Sequence, residues 1–238
     1  MPRKTAPSTP LDVLDLLAEF PQALGDFGEL RRYVRAVAQF SEFPGAQTVT
    51  RLKAQLKRTE DPVRQAELEY EIGVAETDSQ TTIPRIVWGS ILVAVYATYE
   101  TSITNVLRFW CERIAQSAPF NPKAEREFLK SASAFANREI GIPLFENESI
   151  REAVFGLKAL RNSFAHAAGK LPNRRTELHA ALDAARSMKL EVAVVDGKWV
   201  ASPRLAAYHL LQAERAYKAF SKFVIEAYVA HAQRADEA

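Results

Sequence analysis

The chain has 238 residues, 47% of them hydrophobic and 25% charged, with a net charge of +2 and a single cysteine. These values exclude a disordered chain and a disulfide-stapled scaffold, and the length suffices for one large domain or one domain with an extension. One cysteine and four dispersed histidines also exclude a zinc centre of familiar spacing.

Helical periodicity dominates. Ser8-Thr9-Pro10 opens a first helix, with proline suited to the first helical position, and Pro21 is expected to end it. Phe27, Leu30, Val34 and Val37 follow at helical spacing. The stretch Thr48–Thr77, restarting at Asp61-Pro62, carries only a thin apolar stripe, which predicts an arm or partner-facing hairpin. Thr82-Ile83-Pro84 opens a long central helix to about Ser117 that contains Cys111, read as a small buried hydrophobe. Its most apolar run, Ile86–Tyr99, is too short to span a bilayer and reads as a core helix.

Asn121-Pro122 starts another helix to about Asn137. Ser149-Ile150-Arg151-Glu152 matches a capping box. The helix it opens places Ile150, Val154, Leu157, Leu160, Phe164 and Ala168 on its core stripe, and Gly169 stops it. Thr176 begins a short helix to Ser187. Lys189–Val195, Asp196-Gly197 and Lys198–Ala201 read as a β-hairpin, and Ser202-Pro203 caps a last helix to about Gln233. The expected class is mainly all-α: a helical bundle with one hairpin, divided into an N-terminal helical extension (residues 1–80) and a helical domain (residues 81–238). The N-terminus has no apolar stretch behind its basic residues, so no secretory signal is read and a cytoplasmic protein is expected, with no membrane partner.

Charge is unevenly spread. Residues 1–80 carry 10 basic and 13 acidic groups; residues 121–175 carry 10 basic and 6 acidic. No Gly-rich phosphate loop, calcium loop or Gly-x-Ser-x-Gly elbow occurs, and no cofactor or metal is implied. Acid/base chemistry remains, and it needs a histidine. The spacing Arg-x4-His occurs three times, at Arg161/His166, Arg174/His179 and Arg204/His209, so spacing alone carries little information. Arg174 and Arg204 stand at helix starts, where the dipole disfavours a cation. His179 reads as solvated or locally paired, and His209 as a packed core residue.

Arg161 and His166 differ, because both lie late in a capped helix, where the dipole favours cations. Asn162 and His166 share one face, and Lys158 extends that row back by a turn. Arg161 is turned about 140° from His166, within reach of a long side chain. A titratable imidazole, a fixed cation and an amide on one scaffold suit phosphodiester chemistry, and Lys158 and Lys170 are candidate phosphate contacts. Upstream, Glu100 continues the row of Trp88, Leu92 and Tyr96 and is a candidate partner for Arg161. The bland alternative is a polar rim on a core helix.

Arg161-Asn162-Ser163-Phe164-Ala165-His166, with Glu100 in YATYETSITNVL, resembles the HEPN superfamily, in particular its RiboL-PSP-type and related prokaryotic ribonucleases. The likeness covers roughly residues 82–235. It implies a metal-independent endoribonuclease, a toxin or antiphage (abortive-infection) effector, whose site is completed in a homodimer. It casts His166 as general acid/base, Arg161 as stabiliser of the phosphorane, Asn162 as orienting group and Glu100 as support for Arg161. The implied products are a 2′,3′-cyclic phosphate and a 5′-hydroxyl, and the implied partners are RNA and an antitoxin or defence-system protein. A subset of such toxins carries a tyrosine two residues after the histidine as the target of a modifying antitoxin; Ala168 stands there instead. The competing expectation is a non-catalytic nucleotide- or RNA-binding or protein-interaction module, such as an antitoxin or regulatory subunit.

Overall fold

The structure is a computed structural model and describes residues 10–40, 43–115, 120 and 127–236. It is mainly all-α with one small antiparallel hairpin. The elements run α1 (Pro10–Phe40), α2 (Phe43–Leu56), α3 (Pro62–Thr77), α4 (Ile83–Phe109), α5 (Phe128–Phe135), α6 (Glu148–Ala167), α7 (Glu177–Ser187), β1 (Ala193–Val195), β2 (Lys198–Val200) and α8 (Pro203–Asp236). Three π-helical turns, Asp78–Thr82, Trp110–Ala115 and Ala136–Ile140, adjoin α4 and α5. The chain forms two compact units, one from residues 1–29, 95–155 and 209–238, the other from residues 30–94 and 156–208. The composition change near residue 80 falls inside the second unit.

In the first unit the core is aromatic. Phe27 packs on Tyr217 with ring centroids 5.9 Å apart, and Phe120 packs on Phe128 and Phe135. Tyr99, Ile103, Leu107 and Cys111 are fully buried, as expected of Cys111. Pro21 does not end the first helix; it lies inside α1 with its ring exposed, and the helix continues to bury Ala23 and Phe27. One missing hydrogen bond costs less than losing those two anchors. The capping residue of α6 is Asn147, not Ser149: its Oδ1 accepts the Ile150 amide at 3.0 Å, so the helix starts at Glu148. Asparagine caps as well as serine, and this choice turns Ile150 into the core. Ser8-Thr9, Ser117 and Asn121-Pro122 lie outside the described residues.

In the second unit Leu52 of α2 packs against Leu68 and Ile72 of α3, with Lys53 and Glu76 paired at 2.8 Å. The restart is capped by Asp61, whose Oδ1 accepts the Val63 amide at 3.0 Å, with Pro62 at the first helical position. The expected break before α4 is absent. α3 passes into α4 through the π-turn at Asp78–Thr82, and this wider turn precedes Pro84, which has no amide to continue an α ladder. Half of the apolar window of this long helix is buried inside the protein, as in a core helix. α4 approaches α6 through Gly89: a methyl group there would overlap the Phe164 ring.

The hairpin turn has both Asp196 (φ 51°) and Gly197 (φ 69°) left-handed, as an Asp-Gly two-residue turn requires. Ala193 faces Val200, Val194 faces Trp199 and Val195 faces Lys198. Its first strand is shorter than the sequence pattern suggests, because Lys189 (φ 57°) and Glu191 (φ 56°) are left-handed and cannot extend it. Ser202 caps α8, accepting the Leu205 amide at 3.1 Å while donating to the Leu190 carbonyl at 2.6 Å.

Gly89→Ala separates two effects of opposite sign. Helix propensity alone would stabilise by about 1 kcal/mol, whereas overlap with Phe164 costs about 1–3 kcal/mol. Urea melts are expected to show net destabilisation, with Gly89→Ala/Phe164→Leu losing less than the sum of the single changes. Stabilisation by Gly89→Ala would show that α4 and α6 are not in close contact there.

Candidate functional site

The second unit brings together Lys158, Arg161, Asn162, His166 and Lys170, whereas Glu100 belongs to the first. Along α6, Ala159 and Leu160 are buried, Arg161 to Phe164 are half-buried, and Ala165 to Ala168 are exposed. The motif therefore straddles the point where the helix rises from the core to the surface. Ala168 is the one residue of the anticipated core stripe to leave it, because it lies beyond the helix in a left-handed conformation (φ 48°).

Two left-handed residues in succession, Ala168 and Gly169 (φ 80°), turn the chain sharply after α6. The Ala168 amide donates to the Phe164 carbonyl (3.0 Å), and the Gly169 amide to the Ser163 carbonyl (3.2 Å). Ala168 bears a strain of about 1–2 kcal/mol that glycine would avoid. The hairpin grips the segment Gly169–Leu171 directly after this turn. The Gly169 carbonyl accepts the Trp199 amide (3.0 Å), the Leu171 amide donates to the Gly197 carbonyl (2.9 Å), and Lys170 bridges Lys198. The Trp199 indole donates to Ser163 Oγ at 3.0 Å, and the Ser163 hydroxyl donates to the Lys170 carbonyl at 3.3 Å. Phe164 meets the Trp199 ring edge-to-face at 6.4 Å. The residue between Asn162 and Phe164 is thus tied to a strand 36 positions away.

Arg161 Nη1 donates to Asn162 Oδ1 at 2.9 Å. Because a guanidinium only donates, this bond fixes the amide: the oxygen faces Arg161 and the NH2 group is presented elsewhere as a donor. His166 stands one turn on from Asn162, exposed, with no hydrogen bond or ion pair among the described residues. A cleft of about 350 Å³ opens beside this helix face. Its lining includes Asn162, Ser163, Lys170, Thr176 and Glu177 as polar groups, with Ala159, Ala167, Pro172 and Leu178 as apolar ones. Lys158 is half-buried and Lys170 exposed. Glu100 emerges half-buried after a row in which Trp88, Leu92 and Tyr96 are buried.

In the other two Arg-x4-His pairs, His179, Arg204 and His209 serve structure. His179 Nδ1 accepts the Thr176 amide at 3.2 Å, which makes it part of the α7 cap, and Arg204 pairs with Glu191 at 2.6 Å. His209 is buried and donates to the Ala153 carbonyl, and burial lowers its pKa to about 4. The sequence signals missed Trp199 and Thr176 as neighbours of the motif. Both come from elements that no local periodicity connects to α6.

The chain matches no protein-family model, no curated protein and no solved structure. Its own chemistry defines what the site can do. A cation–amide pair, an exposed imidazole and an adjoining cleft with a lysine suit the binding of a phosphate ester and proton transfer beside it.

His209 gives a pH test that leaves the site untouched. The unfolded chain protonates it near 6.5, and the folded protein only near 4. Its folded pKa is depressed, so its contribution is whole above pH 6.5 and lost as pH falls toward 4, by about 3 kcal/mol at most. His209→Gln is expected to flatten the pH dependence of unfolding free energy in that window. An unchanged slope would mean that His209 is solvated.

Proposed function

We propose that the protein is a metal-independent endoribonuclease of HEPN type, acting as a toxin or antiphage effector. The observation that carries this reading is the Arg161–Asn162 pair held at 2.9 Å on a clamped helix end, with an exposed, unengaged His166 one turn away. In this reading the RNA phosphate sits against the Arg161 guanidinium and the Asn162 NH2 group. One flanking nucleotide enters the cleft that Lys170 lines.

His166 takes the proton of the ribose 2′-hydroxyl, and the 2′-oxygen attacks phosphorus. The bond from phosphorus to the 5′-oxygen breaks, and that oxygen receives a proton from an imidazolium, leaving a 2′,3′-cyclic phosphate and a 5′-hydroxyl. Arg161 neutralises the charge that gathers on the phosphorane. One imidazole cannot be base and acid at the same instant, and a solvent-exposed His166 leaves water unexcluded. A second copy of the chain supplies the second imidazole and covers the first, so the working enzyme is a homodimer.

A second reading, a non-catalytic interaction module, is favoured by one observation. Val63, Tyr70 and Val74 share one face of α3 and are 69%, 75% and 43% exposed. That face suits a protein partner such as an antitoxin. A partner co-purifying with the chain, together with full cellular function of an Arg161→Ala/His166→Ala protein, marks this reading.

Purified wild-type protein is expected to cleave RNA in EDTA, and His166→Ala to lower the rate about 10²–10⁴-fold. The exposed position of His166 predicts an unfolding free energy unchanged within about 0.5 kcal/mol. Undiminished cleavage by His166→Ala overturns the assignment.

A further inference from the structure

In the first unit, a groove of about 620 Å³ lies between the start of α6 and the middle of α8. Its lining includes Arg215, Lys218 and Lys222 and the Phe223 ring from α8, with Glu146 and Asn147 from the α6 entry. The three cations stand at i, i+3 and i+7, which places them on one face, separated by about 4.5 and 6 Å along the axis. Against them the groove sets one carboxylate, Glu146.

Arg215 and Lys222 are available to an incoming anion. Arg215 has no carboxylate within ion-pair distance among the described residues. Lys222 meets Glu226 only at 3.8 Å, with both side chains mostly exposed. Lys218 is held at 2.7 Å by Glu214, whose side chain is only 7% exposed, so Lys218 stays with that carboxylate. An exposed helical pair such as Lys222–Glu226 contributes about 0.3–0.5 kcal/mol, so a phosphate can replace it at small cost. Phe223 is half-buried beside Lys222, and an aromatic face interleaved with cations is what stacked bases and a phosphate backbone use together. The site is concave, which suits a strand better than a flat bilayer surface.

We propose that this groove is a sequence-independent track for the backbone of single-stranded RNA, built from residues other than the Arg161–His166 motif. It rests on the ribonuclease reading only in choosing RNA among polyanions. Nothing in it depends on cleavage.

The test uses the full chain carrying His166→Ala, so that any cleavage is silenced, and a fluorescently labelled oligouridylate followed by anisotropy over a salt series. Replacing both Arg215 and Lys222 by alanine is expected to weaken binding and to reduce the slope of log K against log salt by about 1.4, two contacts at about 0.7 each. Arg215→Lys/Lys222→Arg, which keeps charge and changes shape, is expected to retain the slope. Equal slopes for the alanine variant and its parent overturn the proposal, as does binding to phosphatidylglycerol vesicles as tight as to the oligonucleotide. In the His166 background, Arg215→Gln/Lys222→Gln serves as the check on folding, with the same loss of slope expected at an unchanged melting temperature. If wild-type protein leaves RNA intact while the slope still falls, the track stands and the ribonuclease reading fails. If RNA is cleaved while the slope does not move, the reverse holds.

Discussion

The interaction on which the placement of the Arg161–His166 motif depends is the bond from the Trp199 indole to Ser163 Oγ. It ties a residue inside the Arg161–His166 motif to the hairpin, and two backbone hydrogen bonds, from the Trp199 amide to the Gly169 carbonyl and from the Leu171 amide to the Gly197 carbonyl, make the tie two-dimensional. A helix C-terminus ordinarily frays, because its last four carbonyls lack partners. Here the left-handed pair Ala168-Gly169 and the grip of β2 hold the last turn in place. Gly89 lets α4 come close enough to seat Phe164 from the other side. The exposed imidazole of His166 is therefore carried on a backbone that is fixed on both flanks, and its mobility is confined to its side chain.

The histidines of this chain show how surroundings, not spacing, decide a role. His209 is neutralised by burial and packs as a core group; His179 is used up in a helix cap; His166 stands in water at the positive-charge-favouring end of a helix, beside a cation–amide pair. Only the last of the three is exposed and unengaged beside a group that can bind an anion. Catalysis by general acids and bases asks for an imidazole so placed, together with a fixed cation, which Arg161 provides.

Much of this was legible in the sequence. The mainly helical class, the Asp61-Pro62 restart, the Asp196-Gly197 turn, the Thr176 and Ser202 caps and the buried Cys111 all follow from local chemistry that the structure keeps. Two of the failures come from a helix that continues through a local break signal. Pro21 sits inside α1 because Ala23 and Phe27 anchor the helix beyond it, and Pro84 is absorbed by a π-turn rather than by a break. Asn147 displaced Ser149 as cap because two adequate caps stood two residues apart. Within the site, the sequence offered Glu100 as the partner of Arg161, and the Arg161–Asn162 bond between chain neighbours was not anticipated. The Ser163–Trp199 tie and the cleft wall from α7 join segments far apart in the chain, and no periodicity announces them.

The central claim is that His166 moves a proton from a ribose 2′-hydroxyl. The chemical ends of the RNA fragments test it most directly, read by mass spectrometry after incubation of the wild-type protein in EDTA. The account predicts 2′,3′-cyclic phosphate and 5′-hydroxyl ends. Fragments carrying 3′-hydroxyl and 5′-phosphate ends would contradict it, because water rather than the ribose would then have been the nucleophile.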